Sequence, residues 1–161
     1  MLQRWDFVKF KESDPQNFDK VGEQFIRLLQ INIREINYLF NTQQFAKSLI
    51  CITEIICQSK KIYAIQLGEA AANLKIFLEE YIEEIEGITY EKQNFKIEQQ
   101  QEAAIKFINI MEIAEKTIQD WYQFKHLPSL KLTNLFEKEI NQIKDTYNVL
   151  QNRNCSFCQL I

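Results

Sequence analysis

A chain of 161 residues, 46% apolar and 25% charged, has the balance of a folded protein and the length to bury one sizeable core. Three glycines and two prolines are too few to punctuate an all-β fold of this size, so the composition points to long helices with few breaks. A formal charge of −3, with no cluster of basic residues, argues against nucleic acid as a partner, because neutralising phosphates needs concentrated lysine and arginine.

Residues 1–14 read as an aromatic arm carrying Trp5, Phe7 and Phe10. Ser13-Asp14-Pro15 is a helix-start signal, a capping side chain followed by a proline whose missing N–H costs nothing in the first turn. From there Phe25, Leu28, Leu29, Ile33, Ile36 and Phe40 recur at spacings of three and four and define one helical face. Gly22 is expected to break or bend this stretch.

Asn41 to Gln44 forms a polar connection in which Thr42 is expected to cap the next helix, about 43–60. There Leu49, Ile50, Cys51, Ile52, Ile55, Ile56 and Cys57 cover nearly the whole circumference, which predicts a central helix buried on several sides. The next helix, about 62–86, places Ala64, Leu67, Ala71, Leu74, Leu78 and Ile82 on one stripe, carries its glutamates on a solvated face and ends at Gly87. Residues 88–95 read as a loop. A helix over about 97–124 turns Ala104, Phe107, Ile110, Met111, Ala114, Ile118 and Trp121 inward, and Pro128 breaks the chain after it. A last helix over about 130–150 carries Leu132, Phe136, Ile140, Ile143, Tyr147 and Leu150. The organisation is then an arm, 1–14; a helical bundle, 15–126; and a C-terminal helix with a cysteine-containing tail, 127–161.

Chemistry-bearing residues are sparse. His126 is the single histidine, and at a helix end it is explained by proximity to the last carbonyls. Cys155-x-x-Cys158 has a zinc-like spacing, but the other two cysteines, Cys51 and Cys57, fall on different faces of one helix, so no metal site is expected. Acidic pairs such as Glu83–Glu84 and Glu137–Glu139 read as helix surface, and no phosphate loop or metal-binding His-Glu-x-x-His is present. Neither a catalytic site nor a cofactor is expected. The terminal Cys158-Gln159-Leu160-Ile161 fits a loose prenylation pattern, which makes Cys158 the candidate lipidation site and the basis for any membrane attachment. No apolar run reaches the length of a membrane span, and the N-terminal residues have no signal-peptide core, so a cytoplasmic protein with reduced thiols is expected.

Phe25, Ile33, Ile36, Phe40, Phe45, Ala64, Leu67, Ala71 and Leu74 together follow a spacing that resembles the histidine-phosphotransfer (HPt) domain family. The resemblance implies an all-α, antiparallel four-helix bundle, here with an N-terminal arm and an additional C-terminal helix. It also implies that the family's His-x-Leu-Lys-Gly motif aligns with Thr53-Glu54-Ile55-Ile56-Cys57. Only Ile55 keeps the pattern. Threonine replaces the phosphoryl-accepting histidine, isoleucine the lysine and cysteine the glycine, so the resemblance implies a bundle unable to relay phosphate. The face Thr53, Glu54, Ile56, Cys57 and Lys60 becomes the candidate interaction surface. Its apolar members are expected to be covered, by the C-terminal helix or by a partner protein. The leading expectation is a non-catalytic protein–protein interaction module, an adaptor or subunit of a larger assembly. The alternatives are a phosphorelay regulator that docks receiver domains without accepting phosphate, and a lipid-anchored membrane-surface protein.

Overall fold

A computed structural model describes residues 7–86, 93–126 and 135–145. All regular structure among them is helical: α1 (Phe7–Ser13), α2 (Phe18–Asn41), α3 (Phe45–Lys61), α4 (Ile65–Glu86), α5 (Gln93–Phe124) and α6, residues 137–145. No described helix is long and apolar enough to cross a membrane. Trp5, Gly87, Pro128, Leu132, Tyr147, Leu150, Cys155 and Cys158 lie outside the described residues.

The four long helices touch in chain order, α2 with α3, α3 with α4 and α4 with α5, and α2 also contacts α5. One continuous core results. Phe25, Leu29, Ile33, Ile36 and Phe40 of α2 meet Ile52 and Ile55 of α3, Leu67, Ala71, Leu74 and Leu78 of α4, and Phe107, Ile110, Met111, Ala114 and Ile118 of α5. The spacing of these residues is helical and their faces converge, so burial of the shared stripe, rather than local propensity, holds each helix. Leu28, expected inward, is instead 36% exposed on the margin of that stripe.

Aromatic clusters close the core at both ends. At one end Phe10 of α1 packs on Phe18 with ring centroids 5.1 Å apart, and Phe18 packs on Trp121 and Phe124 at 5.4 and 5.7 Å. Lys125 lies over the Phe18 and Trp121 rings and pairs with Asp19, joining the start of α2 to the end of α5. At the other end Phe40 stands 4.5 Å from Phe107, and Phe45 meets Tyr81 edge-on at 5.0 Å.

Gly22 neither breaks nor bends α2, which runs unbroken through it. A Cβ there would sit 2.0 Å from Cη2 of Trp121, so the glycine is the space that lets the indole lie against the helix backbone. Thr42 does not cap α3. Its hydroxyl donates back to the carbonyl oxygens of Tyr38 and Leu39, closing α2, and α3 starts from Gln44 without a side-chain cap. α4 begins at Ile65, and α5 begins at Gln93, inside the stretch expected to be a loop.

Both turns flanking α3 are Schellman-like. Gln43 and Tyr63 adopt left-handed conformations at φ 59°, and the next amides, Gln44 and Ala64, reach back to Leu39 and Ser59 carbonyls at 2.7 and 2.9 Å. His126 is left-handed too, at φ 54°, where α5 ends. These sites ordinarily favour glycine, and none holds one.

Candidate interaction face

The predicted central helix has an open side. Phe45, Ser48, Ile52, Ile55 and Ser59 of α3 are buried, whereas Ile50 is 73% exposed, Cys57 is exposed, and Leu49, Cys51 and Ile56 are half-buried. α3 is covered on one flank by α2 and on the other by α4, and its outer surface faces solvent. Circumferential apolarity gave the wrong expectation because it records which residues could be buried, not how many neighbours are there to bury them.

The five predicted face residues fall on two adjacent stripes of this outer surface. Thr53, Ile56 and Lys60 follow i, i+3, i+7, and Glu54 and Cys57 follow i, i+3 beside Ile50 and Lys61. Thr53 is exposed, with its hydroxyl donating to the Leu49 carbonyl at 2.8 Å. Glu54 accepts a hydrogen bond from Gln58 at 2.9 Å. Cys57 is a free, exposed thiol, while Cys51 is half-buried. Burial pushes the Cys51 thiol pKa up, and the nearby Glu35 carboxylate adds to that rise.

Ile56 and Lys60 are brought together with residues that the motif alignment did not single out. They line a groove of about 260 Å³ between α3 and α4, completed by Ser59, Ala64, Ile65, Gly68, Glu69 and Ala72. Its floor is a close helix approach, since a Cβ on Gly68 would lie 3.3 Å from that of Ser59. Beyond the groove the outer stripe of α4 continues through Ile76. Ile65 and Ile76 are 55% and 54% exposed. The sequence signal for this half of the face was present: Ile65, Ala72 and Ile76 share a helical stripe distinct from the inward one. Apolar residues are exposed on α2 as well, including Ile31 and Tyr38, among Arg27, Arg34 and Glu35.

The C-terminal helix covers a different flank. Within α6, Glu139 pairs with Arg34 of α2 at 3.6 Å, and Gln142 accepts a hydrogen bond from Asn37 of α2 at 2.9 Å. Phe136, just before α6, and Ile143 within it are fully buried in the core. The described part of this segment therefore lies against α2, and the expectation that it covers Ile56 and Cys57 is not met there.

No group of three or more potential metal ligands occurs among the described residues. His126 is exposed at the end of α5, its N–H bonded to the Gln123 carbonyl. The Tyr81 phenol is pushed up to about 12 by burial, with a hydrogen bond to Gln100 pulling the other way. Tyr81 sits in the aromatic end-cluster, away from the groove. The chain matches no protein-family model, and neither a curated protein nor a solved structure is significantly similar to it.

Proposed function

We propose that this chain is a non-catalytic helical interaction module, an adaptor or assembly subunit, that engages a partner protein through the outer face of α3 and α4. The observation that carries the reading is Ile50, 73% exposed on the outer side of α3, with Ile56 and Cys57 on the same helix and Ile65 and Ile76 exposed on α4. Isolated apolar residues on a surface are ordinary, but neighbouring ones on two packed helices form the kind of patch that marks an interface.

The scaffold is read as an antiparallel four-helix bundle of the HPt kind. Support comes from pairwise contacts that run in chain order and return from α5 to α2, and from connections of a few residues on both sides of α3. In that reading Thr53 stands exposed at the phospho-acceptor position and cannot do the imidazole's work, so the face is retained for docking and the relay chemistry is lost.

The test is site-specific photo-crosslinking in the native cell, from position 50 or 57 on the proposed face and from position 24 on α2. Recovery of one defined protein from positions 50 and 57, and not from 24, is the expected result. Receiver-domain proteins among the products would specify the phosphorelay-regulator form of the proposal. Equal, unselective products from all three positions would refute the interaction face.

A further inference from the structure

The α3–α4 groove holds one feature that packing of this chain alone leaves unexplained. Helical hydroxyls elsewhere turn back onto their own backbone: Ser48 donates to the Phe45 carbonyl, Thr53 to Leu49 and Thr117 to Ile113, at 2.7–2.8 Å. Ser59, 1% exposed and lining the groove, has a buried hydroxyl oxygen with no hydrogen-bond partner among the described residues. A buried polar atom without a partner is costly, and a site that takes a ligand's polar atom supplies the missing bond.

The groove's other walls define what that ligand looks like. Apolar atoms of Ile56, Ala64, Ile65 and Ala72 line it, and Lys60 stands on the α3 side and Glu69 on the α4 side. Both charged residues are exposed, and neither forms an ion pair among the described residues. A cavity of about 150 Å³ takes a benzene ring, so one of about 260 Å³ accommodates roughly ten ring atoms, the size of a bicycle. Drug-sized ligands need more room than this. A single large side chain does not.

We infer that the groove receives a tryptophan side chain of the partner protein, its indole N–H donating to Ser59 Oγ, with an acidic neighbour facing Lys60 and a basic one facing Glu69. The inference rests on the interaction reading above and names the partner's chemistry. Tryptophan joins a large apolar body to one polar handle, which is why it anchors interfaces, and the charges of opposite sign on the two walls orient the segment that carries it.

The probe is N-acetyl-tryptophanamide titrated into the isotope-labelled full chain and followed by amide chemical shifts, with N-acetyl-leucinamide as the control. Shifts confined to the groove around Ser59, Gly68, Glu69 and Ala72 are expected with the tryptophan probe. Ser59→Ala should weaken that binding about two- to tenfold while leaving the leucine control unchanged, and Ala72→Leu, which narrows the mouth from a half-exposed position, should block it. Absence of groove shifts, or equal binding of both probes with no effect of Ser59→Ala, would overturn the inference. Selective crosslinking from positions 50 and 57 alongside either negative result would leave the interaction face standing and remove only its tryptophan anchor.

Discussion

Gly22→Ala is the sharpest test of the packing. In an isolated helix the change stabilises by about 1 kcal/mol, because alanine loses less backbone freedom on folding. Here the added methyl would meet Trp121 Cη2 at 2.0 Å, Cζ3 at 2.3 Å and Cζ2 at 2.8 Å, well inside the roughly 3.5–4 Å of ordinary carbon contact. Trp121 is 2% exposed and flanked by Phe18, so the ring has little room to retreat. Overpacking of this kind costs about 1–3 kcal/mol, and a clash this deep belongs at the upper end. Less the propensity gain, the net loss is about 2 kcal/mol, a fall in Tm of about 4–8 °C for a chain of this length. The assay is thermal and urea denaturation of the single variants Gly22→Ala and Trp121→Phe and of their combination. Trp121→Phe removes part of the six-membered ring that the methyl strikes, so Gly22→Ala should be neutral or stabilising in that background. The coupling between the two sites should then be about 2–3 kcal/mol. An unchanged or raised Tm for Gly22→Ala in the otherwise unaltered chain would refute the close approach of Trp121 to α2.

Gln43→Gly should raise Tm by about 2–4 °C by relieving roughly 1 kcal/mol of left-handed strain, and a fall would show that the turn after α2 is not of this type. Ser59→Ala should stabilise the free protein by about 1 kcal/mol in urea denaturation, since it deletes a buried hydroxyl that has no partner among the described residues; destabilisation would mean that the hydroxyl is bonded after all. Exposed Cys57 should react with iodoacetamide before half-buried Cys51, and Glu35→Gln, which removes a carboxylate that raises the Cys51 pKa, should speed the Cys51 reaction, both readable by peptide mass spectrometry. For Tyr81 the folded pKa, about 12, lies above the ordinary 10.0, so the folded state holds its proton longer than the unfolded one. Its contribution is therefore complete below pH 10 and lost as the pH rises toward 12; Tyr81→Phe should flatten the decline in stability across that window.

The inward stripes of α2, α4 and α5 were readable because each is a simple repeat of three and four whose members face a single shared core. Ala64, Leu67, Ala71, Leu74 and Leu78 are all buried, as are Ala104, Phe107, Ile110, Met111, Ala114, Ile118 and Trp121. Gly22 has the local signature of a breaker, whereas its role depends on Trp121, a residue remote in sequence. The turns at Gln43 and Tyr63 gave no signal, since the residue type that marks left-handed helix ends is absent from both. Half of the candidate face came from the Thr53–Lys60 alignment. Its α4 half is visible in sequence only as a second stripe, Ile65, Ala72 and Ile76, whose exposure depends on where solvent lies.

Which flank is left open follows from where the polar ties lie. α6 lies against the side of α2 that presents Arg34 and Asn37, and its Glu139 and Gln142 complement those two groups. Asn37 is buried and also accepts a hydrogen bond from Asn41 at 3.2 Å, so moving α6 elsewhere would strip a partner from a polar side chain that water reaches poorly. On the outer face of α3, Thr53 is satisfied by Leu49 and Glu54 by Gln58, so neither replaces Asn37 as a partner for Gln142. A segment with Glu139 and Gln142 beside its apolar residues is specified for α2 by hydrogen bonding. The isoleucines of α3 and α4 are then left to a surface whose recognition elements are apolar, with Ser59 at the bottom and Lys60 and Glu69 at the rim. Replacing Arg34 and Asn37 with alanine should loosen α6 without moving it onto α3, because Phe136 and Ile143 remain buried in the core.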